Sequence, residues 1–491
     1  MRDWKEKQVV IIGAARQGKS LARYLVQEQA KVILNDQKSE EELEEIQREL
    51  DYLSGIGHPV KWVYGGHPMS LLDSCDAVFV SGGVPLSLPL IVEAVRQDIP
   101  VLNDSQLFLE TAFCKVIGIT GSAGKTTTTT LVGNILEIAS KKDGTKFSGK
   151  KIWVGGNIGT PLIEFVDEID PGDIAVLELS SFQLEIMTVS PQVSIVLNIS
   201  PDHLDRHRSM SEYINAKANI IRHQTLSDIS IFNRDDENSM SLSSLTNGKF
   251  ITFGITESEF NYEGTFLRGA EVIFRGDIHS DYSKSSGILL EGEHKFEEIL
   301  LSITDIAIRG THNLSNVLAA AALTYSIGVP AEIIRSAVKE FMGVPHRLEY
   351  VCTFKGADWV NDSIATTPSR TIAAIQAFNE PIILLAGGRD KNLNWVELAE
   401  IIRKRVKHLF LFGEAGNKLF AQLDPSENNR YSITKCNGLQ DAVIQTADIV
   451  EEGDVVLLSP GATSFDEFDN YEERGKWFKK WVKELTSIHL R

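Results

Sequence analysis

The sequence predicts an α/β protein of three domains, each built around a largely parallel sheet. The chain has 491 residues, 43% of them hydrophobic, which is too long for one hydrophobic core. Short apolar runs of the kind that form buried strands alternate with helical stretches along the chain. Several of these runs end in glycine or polar loops, where open α/β sheets bind their ligands.

The first block, residues 1–112, is predicted to be a Rossmann-like domain with strands at 9–12, 32–34, 77–80 and 100–104. A glycine turn from Gly13 to Gly18 follows its first strand, and Asp36 follows the second. This turn fits a loose dinucleotide pattern and also the strict pattern of a phosphate-binding loop, G-x-x-x-x-G-K-[ST]. We interpret it as a nucleotide-binding turn of another kind, with a plain strand-to-helix turn as the alternative.

The central block, residues 113–343, is predicted to be a P-loop ATPase-type domain with a parallel sheet. Its strands are expected at 115–119, 174–178 and 193–198, and a helix is expected at 313–327. The stretch 239–308 is polar and favours strands, which suggests an elaboration at the sheet edge.

A second glycine loop follows the strand 115–119 and leads into a helix expected to begin near Thr126. Such a loop points backbone N–H groups and a helix N-terminus at one place, which suits polyphosphate. Lys125 would reach the β- and γ-phosphates, and Thr126 or Thr127 would contact Mg²⁺. Ile119 stands where the strict pattern has its first glycine. We nevertheless assign ATP to this loop, because acidic and imidazole groups suited to a metal follow it closely.

Glu178 closes an apolar strand and is a candidate magnesium ligand beside this loop. His203 and His207 lie four residues apart after the next strand, with Asp202 and Asp205 near them. Magnesium is favoured over zinc for this group, because zinc requires a third firm ligand, and a plain polar loop is the other alternative. Asn157 lies in a glycine turn that is either conformational or part of the site.

The third block, residues 344–491, is predicted to be a second Rossmann-like domain. Strands are expected at 358–361, 381–385, 408–412 and 454–458. The segment 343–347 carries the glycine and proline typical of a hinge.

Charge and cysteine content exclude several classes of protein. The net charge of -18 argues against nucleic acid and membrane surfaces as partners. The four cysteines are scattered without a C-x-x-C, which disfavours a disulfide framework or a cysteine zinc site. The charged N-terminus and the absence of a 20-residue apolar run lead us to expect a cytoplasmic protein.

Taken together and in this order, the motifs resemble the Mur ligase family of ATP-dependent amide-forming enzymes over essentially the whole chain. The motifs that carry the resemblance are residues 118–128, 178–185, 202–206, 312–316, 346–347 and the tail 459–475. The resemblance implies a ligase that adds D-glutamate to UDP-N-acetylmuramoyl-L-alanine through an acyl phosphate in peptidoglycan precursor synthesis, with ATP and Mg²⁺. We expect a monomer.

Other activities remain open at this stage. The same chemistry with L-glutamate or another acidic amino acid is the main alternative. A folate-type glutamate ligase is a more distant alternative, because it gives the first domain no function. A nucleotide-sensing or transport ATPase is an alternative from another class, and it would hydrolyse ATP independently of the nucleotide sugar.

The resemblance also implies roles for individual residues. Those implied for ATP are Gly121, Gly124, Lys125, Thr126, Thr127, Asn313, Asn316, Arg347 and Asp362. Those implied for the nucleotide sugar are Asp36, Ser81, Gly82, Asn157, Ser180 and Gln183, and those for the amino acid are Thr366, Lys391, Ser464 and Tyr471. The implied metal ligands are Thr126, Glu178 and His203. The implied catalytic residues are Lys125, Glu178, His203 and Lys217.

Lys217 corresponds to the lysine that the family carbamylates, although a lysine on an exposed helix is usually solvated. A second position departs from the family, which usually has a lysine near the glutamate pocket where this chain has Ile364. Our hypothesis is that Arg389 or Arg370 restores that charge.

Overall fold

The computed structural model describes residues 2–201, 206–207, 209–257, 262–277, 288–289, 295–308, 310–391, 393–423 and 431–488. The chain divides into two compact units, with the boundary between Phe341 and Met342. Within the described residues the strands form three sheets, of five, ten and six strands. Over the same residues no helix combines the length and apolar composition needed to cross a membrane.

The first sheet lies in the N-terminal part of the first unit. Its elements are β1 (Gln8–Ile12), α1 (Arg16–Gln27), β2 (Lys31–Asn35), α2 (Glu40–Leu50), β3 (Lys61–Val63), β4 (Ala77–Val80), α3 (Pro89–Arg96), β5 (Val101–Leu102) and α4 (Asp104–Thr111). The strands are parallel in the order β3-β2-β1-β4-β5. The order reverses between β1 and β4, so the loops after these two strands lie together where such sheets bind ligands.

The second sheet completes the first unit. Its first elements are β6 (Lys115–Thr120), α5 (Lys125–Lys141), β7 (Ile152–Gly156), β8 (Ile174–Glu178), α6 (Ser181–Leu184), β9 (Val193–Val196), α7 (Met210–Arg222), β10 (Ile229–Asn233) and α8 (Glu237–Ser241). The remaining elements are β11 (Lys249–Phe253), β12 (Gly264–Arg268), β13 (Glu271–Asp277), β14 (Ile288–Leu289), β15 (Lys295–Ser302), α9 (Thr311–Ser326) and α10 (Ala331–Glu340).

In this sheet β6 lies between β8 and β9, and all three are parallel. Their carboxyl ends therefore meet at one edge, directly beside the glycine loop that follows β6. The strands β12, β13, β15 and β14 are antiparallel and extend the far side of the sheet. The polar stretch predicted to elaborate the sheet edge does so in its described residues.

The second unit contains the third sheet. Its elements are β16 (Glu349–Phe354), β17 (Ala357–Asn361), α11 (Pro368–Gln376), β18 (Ile382–Gly387), α12 (Val396–Arg405), β19 (Val406–Phe412), α13 (Gly413–Gln422), β20 (Ser432–Lys435), α14 (Leu439–Ile449), β21 (Val455–Gly461) and α15 (Tyr471–Ile488). The order is β16-β17-β21-β18-β19-β20, and only the β16–β17 pair among these described strands is antiparallel.

The predicted α/β class with three parallel-rich sheets is confirmed. The central strands β6, β8, β18 and β21 are buried along most or all of their length, which explains their continuous apolar sequences. The domain limits at 112/113 and 343/344 stay predictions.

Candidate active site

The glycine loop between β6 and α5 has the shape expected of a phosphate-binding loop. Gly124 precedes the first residue of α5 with φ +83°, a conformation that favours glycine. A Cβ at Gly124 would lie 2.2 Å from Asn316 Oδ1 on α9, so the loop packs directly against that helix. The N-terminus of α5, the end of a helix at which backbone N–H groups have no acceptor within the helix, therefore lies at this loop.

Lys125 is the first residue of α5, and its side chain bends back over the loop. Its Nζ donates to the carbonyl oxygens of Gly121 and Ser122, at 2.8 and 2.9 Å. The ammonium group thus lies within the turn where the sequence predicts polyphosphate. Thr127, also predicted for ATP, is half-buried in the first turn of the helix.

Glu178, at the end of β8, is buried beside the same helix start. Its Oε2 accepts from Thr126 Oγ1 at 2.8 Å, and its Oε1 accepts from Asn157 Nδ2 at 2.8 Å. The backbone N–H of Asn157 also donates to the Glu178 carbonyl. Two predicted metal residues, Thr126 and Glu178, are therefore in contact, and Asn157 fixes the carboxylate from the other side.

Lys217 on α7 also contacts this loop. Its side chain is only 1% exposed, its Nζ donates to Gly121 O at 2.9 Å, and it lies 4.5 Å from the Tyr213 ring centre. Tyr213 in turn contacts the Ser122 hydroxyl at 3.0 Å. Lys125 and Lys217 therefore share one carbonyl acceptor.

The residues after β9 and on α9 brace the loop. Asn198 accepts from the Ala123 N–H at 3.0 Å and donates to its carbonyl at 3.1 Å. On α9, Asn316 Nδ2 donates to Asn313 Oδ1 at 3.2 Å. The two asparagines predicted for ATP thus contact each other next to Gly124.

Of the two histidines after β9, His203 lies outside the described residues together with Asp202 and Asp205. His207 is buried, with its Nε2 2.9 Å from Ser181 Oγ and its ring stacked on Phe182. Within the part of the chain that the structure describes, no three His, Cys, Asp or Glu side chains are grouped as a metal site. These contacts give no support to zinc at His207.

The first glycine turn, after β1, has a different arrangement. Asp36 Oδ2 accepts from the Ala14 N–H at 2.9 Å, which ties the turn to the end of β2. Lys19, the lysine of the strict phosphate-loop pattern, forms a 2.6 Å ion pair with Glu49 on α2. Lys19 is thus paired with a residue of another helix, whereas Lys125 lies over its own loop; the assignment of ATP to the second loop stays a prediction.

A cavity of about 500 Å³ lies beside the loop that follows β4. Ser81, Gly82 and Gln183, all predicted for the nucleotide sugar, line it, whereas Asp36, Asn157 and Ser180 do not. Ser180 and Gln183 form a reciprocal capping box at the start of α6.

Arg206 also lines this cavity. Its guanidinium stacks on Phe182 at 4.5 Å and donates to the carbonyls of Gly83 and Val84 at 3.2 and 3.3 Å. The Arg206 side chain therefore joins the two sheets of the first unit at the cavity.

In the second unit, Asp362 follows β17 and is 4% exposed. It accepts from the Leu348 N–H at 3.2 Å and from Ser459 Oγ at 2.8 Å. Burial raises the pKa of Asp362 to about 7, although these hydrogen bonds and the nearby Arg347 and Arg370 oppose the rise. Arg347 itself is exposed.

The loop after β17 contacts the loop after β21. The buried Arg474 donates to the hydroxyl and carbonyl oxygens of Ser363 and to the Ala462 carbonyl. The Ser363 hydroxyl donates to the Tyr471 carbonyl at 2.8 Å. Ser464 is buried near this junction, and Thr366 is half-buried.

Lys391 lies after β18, with its Nζ 5.6 Å from the centre of the Phe465 ring. The strands β17, β21 and β18 are neighbours in the sheet order, so Thr366, Ser464 and Lys391 lie on loops at one end of this sheet, and Tyr471 begins the helix α15 that follows the loop after β21.

Comparison with known proteins identifies the family. Three family profiles match: "Mur ligase MurD-like, N-terminal domain" at residues 7–103, "Mur ligase middle domain" at 119–324, and "Mur ligase, glutamate ligase domain" at 346–461. The UDP-N-acetylmuramoylalanine--D-glutamate ligase of Alkaliphilus oremlandii is 38% identical over 484 residues, which cover 98% of this chain and 99% of that protein. The chain belongs to the Mur ligase family.

Other proteins agree with this assignment. The enzyme of the same name from Clostridioides difficile is 38% identical, covering 98% of this chain and 100% of its own length. A crystal structure of MurF from Acinetobacter baumannii covers 97% of this chain and 93% of its own, with a TM-score of 0.51 and 16% identity. At that identity the likeness shows the fold alone.

In this Mur ligase, sequence reasoning missed several residues that connect the predicted ones. Arg16 donates to the Asn157 carbonyl at 2.9 Å, and Gln17 contacts both Gly82 and the buried Asp104. Arg206 and Tyr213 were likewise not singled out. Each acts across elements far apart in the chain, and only their positions in or near recognisable motifs could have drawn attention to them.

Proposed function

We propose that this Mur ligase joins D-glutamate to UDP-N-acetylmuramoyl-L-alanine, using ATP and Mg²⁺, in the synthesis of the peptidoglycan precursor. The proposal rests on the full-length similarity to enzymes named for this reaction and on the arrangement of the candidate site. One observation carries it: Lys125, Thr126 and Glu178 converge at a glycine loop in the unit that also contains the cavity lined by Ser81 and Gly82.

The residues present fit ATP and magnesium. The loop offers a left-handed glycine, a helix N-terminus and a lysine, which together suit a polyphosphate. Thr126 and Glu178 supply hydroxyl and carboxylate oxygens 2.8 Å apart, the ligand chemistry that Mg²⁺ prefers. When bound, the ion would neutralise charge between phosphates. His203 is a further proposed ligand, and Asn313, Asn316, Arg347 and Asp362 are proposed to contact ATP.

Lys217 is proposed to be carbamylated. The side chain is buried beside the ATP loop, and carbamylation would convert its ammonium into an anion. A negative group at this place is compatible with a neighbouring magnesium ion, whereas a cation would repel it. Intact-protein mass measured with and without bicarbonate, on wild type and Lys217→Arg, tests the modification independently of activity.

The nucleotide sugar is proposed to bind in the cavity of the first unit. Ser81 and Gly82 would contact its diphosphate, and Gln183 would contact it from the other side of the cavity. Asn157 and Ser180 do not line the cavity and are proposed to contact a part of the substrate that extends beyond it. Asp36 would lie near the uridine. Arg206 adds a positive charge at the cavity, which helps an anionic substrate against the net charge of -18.

Glutamate is proposed to bind at the carboxyl end of the third sheet, near Thr366, Lys391, Ser464 and Tyr471. Ile364 replaces the lysine usual in the family. Arg370 donates to the Ile364 carbonyl at 3.0 Å, so this guanidinium stands beside the altered position. We infer that Arg370, more than Arg389, compensates for the missing charge.

In the proposed reaction the alanyl carboxylate attacks the γ-phosphorus of ATP, forming an acyl phosphate and releasing ADP. The glutamate amine then attacks the acyl carbon, and phosphate leaves. Lys125 would stabilise charge on the transferred phosphoryl group, and Asn157 would hold Glu178 in orientation.

The test is amino-acid-dependent phosphate release with ATP, Mg²⁺ and UDP-N-acetylmuramoyl-L-alanine. D-glutamate, L-glutamate, D-aspartate and lysine are compared, and the product is identified by mass. Turnover with D-glutamate alone is expected. Preference for L-glutamate would retain the ligase and change its substrate, while ATP hydrolysis indifferent to the nucleotide sugar would overturn the proposal.

A further inference from the structure

A chain of hydrogen bonds leads from the cavity into the protein interior. The Gly82 N–H donates to Gln17 Oε1 at 2.7 Å, and Gln17 Nε2 donates to Asp104 Oδ1 at 3.0 Å. The loop that carries Gly82 is fixed at two further points, because the Ser81 hydroxyl donates to the Gly13 carbonyl and the Val84 N–H donates to the Ser81 carbonyl. Gln17 therefore links a wall of the cavity to a buried carboxyl group.

Asp104 is the first residue of α4 and is 3% exposed. The groups that face its carboxyl are the amides of Gln17 and Gln183 and the backbone N–H groups at the start of α4. Burial raises the pKa of Asp104 to about 6, against the opposing effect of these donors, which favour the carboxylate form. The positive end of the helix favours the same charge state.

The hydrogen bonds to Asp104 and to the Gly82 N–H determine how the Gln17 amide is oriented. A carboxylate only accepts hydrogen bonds, so the nitrogen of the Gln17 amide must face it. The amide oxygen then faces the Gly82 N–H, which only donates. Reversal of the amide would place donor against donor at Gly82 and acceptor against acceptor at Asp104.

The start of α4 is also hydrogen-bonded to a second wall of the cavity, the one that contains Gln183. Gln183 Nε2 donates to Ser105 Oγ at 2.9 Å, and Asn103 Nδ2 donates to the Gln183 carbonyl at 2.8 Å. Residues 103–105 are thus bonded to both walls of the cavity, one through Gln17 and one directly. Both walls are therefore tied to the start of one helix.

We propose that Asp104 and Gln17 are positioning residues for the nucleotide sugar, and that they hold the loop after β4 in the form that receives its diphosphate. This inference rests on the proposed function, since it assigns the cavity to that substrate. Neither residue would contact the transferred phosphoryl group, so their effect falls on substrate binding rather than on the chemical step.

The experiment compares Gln17→Met, Asp104→Asn and the double variant with wild type. For each, KM is measured for the three substrates together with kcat, and the Kd of UDP-N-acetylmuramoyl-L-alanine is measured by calorimetry without ATP. Each single variant is expected to raise KM and Kd for the nucleotide sugar about tenfold, because a buried polar group loses its partner. KM for ATP and D-glutamate, and kcat, should change less than about twofold. Both residues act through one contact. The Kd of the double variant for the nucleotide sugar should therefore be no higher than that of the single variant with the higher Kd.

Gln106→Met is the matched control. Gln106 lies on the same helix, is fully buried and exchanges hydrogen bonds with Thr188 at 2.8 and 3.1 Å, but it does not line the cavity. The Gln106→Met variant should lower the melting temperature as much as Gln17→Met does and should leave the KM for the nucleotide sugar unchanged.

The outcomes separate the two proposals. Suppose that wild type binds and turns over the nucleotide sugar. The positioning role is then wrong, and the proposed function stands, if Gln17→Met and Asp104→Asn bind this substrate as tightly as wild type does. The same conclusion follows if Gln106→Met weakens binding of the nucleotide sugar as much as they do. If wild type neither binds nor uses this substrate, the proposed function fails and the inference fails with it.

Discussion

The hydroxyl of Thr126 donates a 2.8 Å hydrogen bond to the buried carboxylate of Glu178. This contact joins the start of α5 to the end of β8, two elements 52 residues apart in the chain. It brings a hydroxyl and a carboxylate to the point where the loop ends, so both oxygens are available to one cation.

Thr126→Val is therefore expected to reduce kcat roughly 10–100-fold, since it removes an oxygen from the proposed metal position while keeping the shape of the side chain. The KM for the nucleotide sugar should hardly change. Thr130→Val, measured in the same steady-state assay, is the control, because the Thr130 hydroxyl only donates to the Thr126 carbonyl one turn away. Equal losses in the two variants would contradict the metal role.

Replacing the lysine of each glycine loop is expected to have a different effect on ATP kinetics. Lys125→Met should lower kcat/KM for ATP by about 10²–10³-fold, because Lys125 lies in the proposed phosphate loop. Lys19→Met should leave ATP kinetics unchanged and lower stability by no more than about 1 kcal/mol, since it removes a partly exposed ion pair with Glu49. A large ATP defect in Lys19→Met would reverse the assignment of the loops.

Arg370→Ala should raise the KM for D-glutamate about tenfold without altering that for ATP, because it removes a cation that bonds the Ile364 carbonyl. Introducing Ile364→Lys into the Arg370→Ala variant should restore the affinity. Arg389→Ala is the comparison. An unchanged glutamate KM in both arginine variants would dismiss the compensation hypothesis.

The buried carboxyl group of Asp362 is expected to make the free energy of unfolding depend on pH. Burial raises its pKa from 3.8 to about 7 in the folded protein, so the folded state holds a proton that the unfolded chain releases near pH 4. The stabilisation is complete below pH 4 and is lost as the pH rises through 7. Relative to Asp362→Asn, wild type should lose at most about 4 kcal/mol between pH 4 and pH 8.

Denaturant midpoints of both proteins at several pH values measure this difference, with the exposed Asp469→Asn as a control that should follow wild type. Parallel curves for wild type and Asp362→Asn would show that Asp362 is ionised in the folded state throughout this range.

The fold class and the main strands were predictable because the central strands are buried on both faces and their sequences are continuously apolar. The strands β3, β7, β16 and β20 were not predicted. They lie at sheet edges and are partly exposed, so their sequences lack that signal. β10, although largely buried, was also overlooked.

The glycine loop proposed for ATP could be recognised in the sequence because one short motif carries its residues, and its assignment to ATP stays a prediction. Contacts between residues far apart in the chain could not be predicted from the sequence. Lys217 was assigned to the site only through the family resemblance, because its sequence alone fits a solvated helical lysine equally well; its side chain is buried against the loop. Asn157 could not be separated from a conformational turn residue until its amide was found on Glu178. Asp104 gave no sequence signal, because its importance comes from a glutamine 87 residues earlier.

The contact between Gly124 and Asn316 has a consequence for synthesis of the chain. The glycine loop proposed for ATP is made early, but the helix that packs against it at Asn316 is made almost 200 residues later. A nascent chain therefore emerges with the loop, its lysine and its glutamate before the brace exists. Because domains fold as units during translation, the nucleotide site should mature only after α9 has been synthesised and docked. Fragments that end before residue 311 should consequently carry the complete ATP motif and still bind ATP poorly.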